Sequence, residues 1–160
     1  MSIIRDTDQL LPSILDRLID HEPSIREEAP SSRSQILFEL KQSVRRDLEN
    51  LLNTRWKCVH WPPDYEQLEL SLVNYGIPDF SGVNMGGPDN QKRLIQIVER
   101  AIDYFEPRFA RFSLVEKRNR DSFDRTLRFK IDGLLKAEPS PEPVSFDTSL
   151  DVHSAEFEVK

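Results

Sequence analysis

The sequence predicts an α+β domain in which N-terminal amphipathic helices pack on one face of a small C-terminal antiparallel sheet. Three observations point there. Before Pro107 the apolar residues recur at three- and four-residue steps, the period of a helix; after it they alternate, the period of a strand. The change happens once, so helices come first and strands follow, which is the order of an α+β chain. The alternating segments also follow one another directly, as in a meander with one face on the core and one in solvent.

Taken in order, LLPSILDRLID places Leu11, Ile14, Leu15 and Leu18 at helical spacing. This predicts a short amphipathic helix, after a mobile stretch of about ten residues, in keeping with the looseness of chain termini. HEPSIREEAPSSRS is polar and contains proline, so it reads as a linker, with Ser34 or a neighbouring serine capping the next helix. Residues 1–34 are therefore expected to form a mobile arm and residues 35–160 a single domain. The domain opens with QILFELKQSVRRDLENLLNTR, where Leu37, Leu40, Val44, Leu48, Leu51 and Leu52 make one apolar stripe. Pro62 and Pro63 then forbid continuation. A second domain helix is expected over DYEQLELSLVNY, with Tyr65, Leu68, Leu72 and Tyr75 on one side and Gly76 as its stop. A third begins near Pro88 and Asp89, buries Leu94, Ile97, Val98, Ala101 and Phe105, and ends at Pro107.

Four strands complete the domain. Ala110, Phe112 and Leu114 are expected on the core face of the first, and Leu127, Phe129 and Ile131 on that of the second. Val144, Phe146 and Leu150 share a face in the third, and Phe157 and Val159 in the fourth.

Net charge is −6, unevenly spread. Residues 99–130 carry nine basic and six acidic groups, whereas residues 131–160 carry two basic and seven acidic ones. The basic block is too mixed for a nucleic-acid footprint. It predicts a sheet face with one sign on one hairpin and the opposite sign on the next, suited to oriented docking on a protein; ordinary solvated charge is the plainer account. A single cysteine, Cys58, excludes an intramolecular disulfide and fits a reducing compartment, so cytoplasm is the expected location. No apolar run approaches the ~20 residues of a membrane helix, and the N-terminus has no secretory h-region.

Catalytic hardware is sparse. His21, His60 and His153 lie outside any zinc-type spacing, Cys58 is in no nucleophile motif, and SGVNMGGP lacks the Lys-Ser/Thr of a phosphate loop. Among 28 acidic residues a carboxylate pair of the glycosidase kind could arise by chance, but nothing singles one out. Trp56 and Trp61 flank a short loop, either as plugs between helices or as partner anchors. Tyr104 and Phe105 read as core.

Four segments together resemble the TssE family of type VI secretion baseplate subunits, which shares its fold with wedge subunits of contractile phage tails. They are SILDRLID from Ser13, SVRRDLENLLNTR from Ser43, SLVNYGIPDFSG from Ser71, and AIDYFEPRF from Ala101. The last holds the family's Glu-Pro-Arg signature as Glu106, Pro107 and Arg108, and the C-terminal FDTSLDVHSAEFEV is similar to the family's final hairpin. One departure is DVHSAEF, where the family usually has a glycine.

The resemblance implies a non-enzymatic cytoplasmic adaptor at the inner-membrane face, without a cofactor. Its implied partners are TssF, TssG and TssK in the baseplate and TssB/TssC in the sheath, whose assembly it would nucleate, with no nucleic acid and no membrane insertion. Glu106, Pro107 and Arg108 become the candidate partner-binding residues, as a local brace, an interface or both. Arg46, Asp47, Asn74 and Tyr75 match family positions, and Arg128 and Lys130 would orient docking at a sheet edge. The alternatives are a lysozyme-like hydrolase and a regulatory anti-adaptor with the same fold.

Overall fold

The computed structural model describes residues 14–19, 32–56, 64–65, 67–68, 71–80, 87–117, 126–137, 140–151 and 154–160. Among the described residues three α-helices precede four strands: α1 (Ile14–Leu18), α2 (Arg33–Asn53), α3 (Pro88–Phe105), β1 (Phe109–Lys117), β2 (Leu127–Leu135), β3 (Glu142–Asp151) and β4 (Glu156–Val159). The strands form one antiparallel sheet in the order β1-β2-β3-β4, the expected α+β meander. The expectations for the first ten residues, most of the linker, Cys58, Trp61 and all three histidines fall outside the described residues.

The core lies between α2, α3 and one face of the sheet. Val44, Leu48, Leu51 and Leu52 of α2 meet Leu94, Val98, Ala101 and Ile102 of α3 above Phe129, Ile131, Phe146, Leu150, Phe157 and Val159. Burial of such side chains contributes on the order of 1.5–3 kcal/mol each, which is why the helical and strand periods could be read so directly. Ser32 rather than Ser34 caps α2, its hydroxyl accepting from the Gln35 N–H at 3.3 Å.

Three expectations need correction. No α-helix forms among the described residues of 64–75. The chain instead takes successive tight turns, Tyr65 to Leu68, Leu68 to Ser71 and Ser71 to Asn74, each closed by an i→i+3 backbone bond. Ser71 favours them, its hydroxyl donating to the Leu68 carbonyl and accepting from the Val73 N–H. Only half of the anticipated stripe is covered: Leu68 and Tyr75 are half-buried but Tyr65 and Leu72 are exposed, and a helix this short needs packing to form. Gly76 does mark the stop, at φ 108°, where a Cβ would lie 2.3 Å from the Thr54 carbonyl oxygen.

The second correction concerns β1. A bulge between Phe109 and Arg111 exposes Ala110 and turns Phe109 into the core beside Phe112. Opposite, Gly133 leaves room for the Phe109 ring, which a Cβ there would meet at 2.7 Å. Third, Tyr104 is exposed; only Phe105 turns inward, packing edge-on against Tyr75 at 5.3 Å. In the last turn, where the resemblance leads to the expectation of a glycine, Ala155 adopts φ 56°.

Candidate functional site

The chain passes from α3 to β1 in a few residues. Glu106 closes the helix, its N–H donating to the Ile102 carbonyl at 2.9 Å, and Pro107 forbids another turn. The corner is then fixed from β2, because the Lys136 backbone N–H donates to the Arg108 carbonyl and its ammonium to that of Pro107.

Arg108 points back into the molecule. Its Nε donates to Glu106 Oε1 at 2.6 Å, its Nη1 to Ser43 Oγ at 2.9 Å, and its Nη2 to both Glu106 Oε2 and Asp47 Oδ2. The planar fork of a guanidinium suits such convergence, and a lysine could not reproduce it. Ser43 passes the contact on by donating to Asp16 Oδ2 at 2.6 Å, and Arg46 joins Asp16 at 2.8 Å to Asp47 at 3.0 Å. The result is a line of alternating charge, Asp16, Arg46, Asp47, Arg108, Glu106, that ties α1, α2 and the corner together.

Burial sharpens its electrostatics. Glu106 is only 4% exposed, so its carboxylate depends on Arg108. Desolvation by itself would lower the Arg108 pKa, but the bonds and charge of Glu106 and then Asp47 outweigh it and hold the group above its ordinary value. The Arg46 pKa is raised chiefly by its bond to Asp16. The Tyr75 phenol is pushed up by burial, then by the nearby charges of Asp47 and Glu106.

Five sequence-derived residues thus gather here: Arg46, Asp47, Tyr75, Glu106 and Arg108, with Pro107 shaping the turn. Asn74 instead borders a groove that also holds Trp56. Arg128 and Lys130 lie on β2, an inner strand, so they sit on the outer face of the sheet rather than at its edge. Asp16 and Ser43 were missed. Ser43, Arg46 and Asp47 share one side of α2 by their three- and four-residue spacing, which is the signal that could have found the first.

The sheet offers two further features. Asp147 and Lys160 exchange both backbone bonds, so by antiparallel alternation the N–H and C=O of Phe157 and Val159 point away from β3. Three of these four groups are capped by α2. The Asn53 amide donates to the Phe157 carbonyl at 2.9 Å and accepts from its N–H at 2.8 Å, while Arg45 donates to the Val159 carbonyl at 3.0 Å. The opposite edge, β1, has no strand beyond it among the described residues. On the uncovered sheet face, Arg111, Lys117, Arg128 and Lys130 mark the β1–β2 hairpin, and Asp147, Asp151, Glu156 and Glu158 the β3–β4 hairpin. Asp132, Lys160 and the Lys117–Asp147 ion pair moderate the contrast.

Among the described residues no group of three or more His, Cys, Asp or Glu is placed to hold a metal, and no helix is long and apolar enough to cross a membrane. The polar residues around the α3–β1 corner brace one another, an arrangement that holds elements together. The chain belongs to the baseplate wedge protein gp25 family, whose model matches residues 38–140, from α2 through the corner and β2. A structural role in a baseplate follows from that membership. No curated protein matches the chain.

Proposed function

We propose that the chain acts as a TssE-type adaptor of a type VI secretion baseplate, without enzymatic activity. In this reading it works at the cytoplasmic side of the inner membrane. It joins the wedge formed with TssF, TssG and TssK to the first ring of the TssB/TssC sheath, and starts sheath assembly.

The observation that carries the reading is the inequality of the two sheet edges. A strand edge recruits another chain only if its N–H and C=O groups are unclaimed. The outward groups of Phe157 and the Val159 carbonyl on β4 are taken by Asn53 and Arg45, which leaves the nine-residue β1 as the place where a sheath strand could add. The two-signed outer face would set its direction. Glu158 is unsuited to testing this, because its N–H faces β3 in a bonded pair with Ser149.

Val115 and Glu116 are both exposed neighbours on β1, and the donors of successive residues point to opposite sides. Proline at one breaks the ladder to β2; proline at the other removes a donor only from the open edge. The expected result is one variant that melts lower and one that keeps its melting temperature but no longer recruits TssB/TssC in a pull-down. Recruitment by both at the wild-type level would overturn strand addition at β1.

A further inference from the structure

We infer that the groove beside α3 is a docking site for an acidic segment of a partner protein carrying one bulky apolar side chain. The groove has a volume of about 420 Å³ and is separate from the β1 edge. Ile97 and Phe105, half-buried, form its apolar base; Trp56 and the exposed Tyr104 stand beside them; Arg93 and Arg100 lie exposed along its border.

Arg93, Ile97, Arg100 and Tyr104 fall at three- and four-residue steps, so they make one stripe of α3. It is a different stripe from Leu94, Val98, Ala101 and Ile102, which fill the core. Ile97 packs partly against that core, but Arg93, Arg100 and Tyr104 on the same stripe stay exposed among the described residues. Trp, Tyr and Arg are the residue types that most often dominate binding energy at protein interfaces, because each offers a large flat surface with a polar or charged end.

Charge decides the occupant. Among the groove's lining residues, Arg93 and Arg100 are the only ones charged at neutral pH. Neither is paired with a described carboxylate, in contrast to Arg46 and Arg108. Seven residues apart, they stand about 10 Å apart along the helix axis, so two carboxylates of one segment can meet both while an apolar side chain between them enters the groove. Glu99 and Asp103 line the adjoining depression, which shares Arg100, and would repel the segment beyond that arginine, so it is held between Arg93 and Arg100. This inference does not depend on the sheath reading.

The test pans a displayed library of random peptides on the full chain. The expected outcome is enrichment of peptides that combine Asp or Glu with Trp, Phe or Leu. Their affinity, measured by fluorescence anisotropy, should weaken at least about tenfold on the Arg93→Glu/Arg100→Glu variant and with rising salt. Arg93→Lys/Arg100→Lys should stay within about threefold of wild type, and Arg111→Glu on the sheet face should have no effect, each variant being checked by its melting temperature. Enrichment without acidic residues, binding that survives the double reversal in a folded variant, or no enrichment at all would each overturn the inference.

Discussion

Arg108 and Asp47 stand 61 positions apart in the chain and meet at 2.6 Å, guanidinium nitrogen against carboxylate oxygen. This contact fastens the middle of α2 to the corner where α3 becomes β1, and Glu106 completes it from beneath. Arg108→Ala would strand the Glu106 carboxylate in a nearly dry position. Breaking a buried pair costs roughly 3–5 kcal/mol, and the 23% exposure of Arg108 places this case at about 3. Urea unfolding should show that loss for Arg108→Ala and a smaller one for Arg108→Lys. Arg108→Glu would set a third carboxylate against Asp47 and Glu106 and should unfold the domain, so loss of assembly in that variant would not by itself demonstrate a lost interface.

Thr148 supplies a test of opposite sign. It is buried on the core face of β3, and its hydroxyl finds no hydrogen-bond partner among the described residues. A buried hydroxyl without a partner costs about 1–3 kcal/mol, while valine keeps its shape. Thr148→Val should therefore stabilise by about 1 kcal/mol and raise the melting temperature by about 2–4 °C.

Tyr75 predicts an alkaline limit. Burial, then Asp47 and Glu106, raise its pKa above the ordinary value near 10, with Arg108 opposing. The folded state thus holds this proton more tightly than the unfolded chain. Its contribution to stability is complete below pH ~10 and is lost as pH climbs through the raised folded value. Absorbance titration should show one of the three tyrosines ionising late. Tyr75→Phe should remove that step and lessen the fall in stability above pH 10.

Ala155 and Ala101 form a matched pair. Both are buried, but Ala155 sits at φ 56°, where a Cβ costs about 1–2 kcal/mol, whereas Ala101 is inside α3. Ala155→Gly relieves strain as it loses a methyl and should change stability by less than about 1 kcal/mol. Ala101→Gly loses the methyl and about 1 kcal/mol of helix propensity as well. Thermal melts of the two variants decide it; equal losses would count against strain at Ala155.

Much of the fold was legible because α2, α3 and the strands each bury one face, and burial writes a period into sequence. The 64–75 segment misled for the same reason: its apolar spacing was helical, but Tyr65 and Leu72 stay exposed among the described residues, with little burial to reward a helix. In β1 the alternation was ambiguous, since Phe109, Ala110 and Phe112 are all apolar and an extra residue leaves no mark. At the corner, resemblance identified Glu106, Arg108, Arg46 and Asp47 individually. That they pair with one another, with Ser43 and Asp16 between, depends on contacts across 27 to 65 positions that no local pattern records.

Asn53 gives the sheet a beginning without an end that can be extended. Two copies of an open sheet can join head to tail, one end strand against the other's far side, and such a contact repeats without closing. Here one of the two surfaces required for that repeat is occupied by an amide of the same chain. Asn53, helped by Arg45, thereby works against self-propagating growth of the sheet from β4 while leaving β1 untouched.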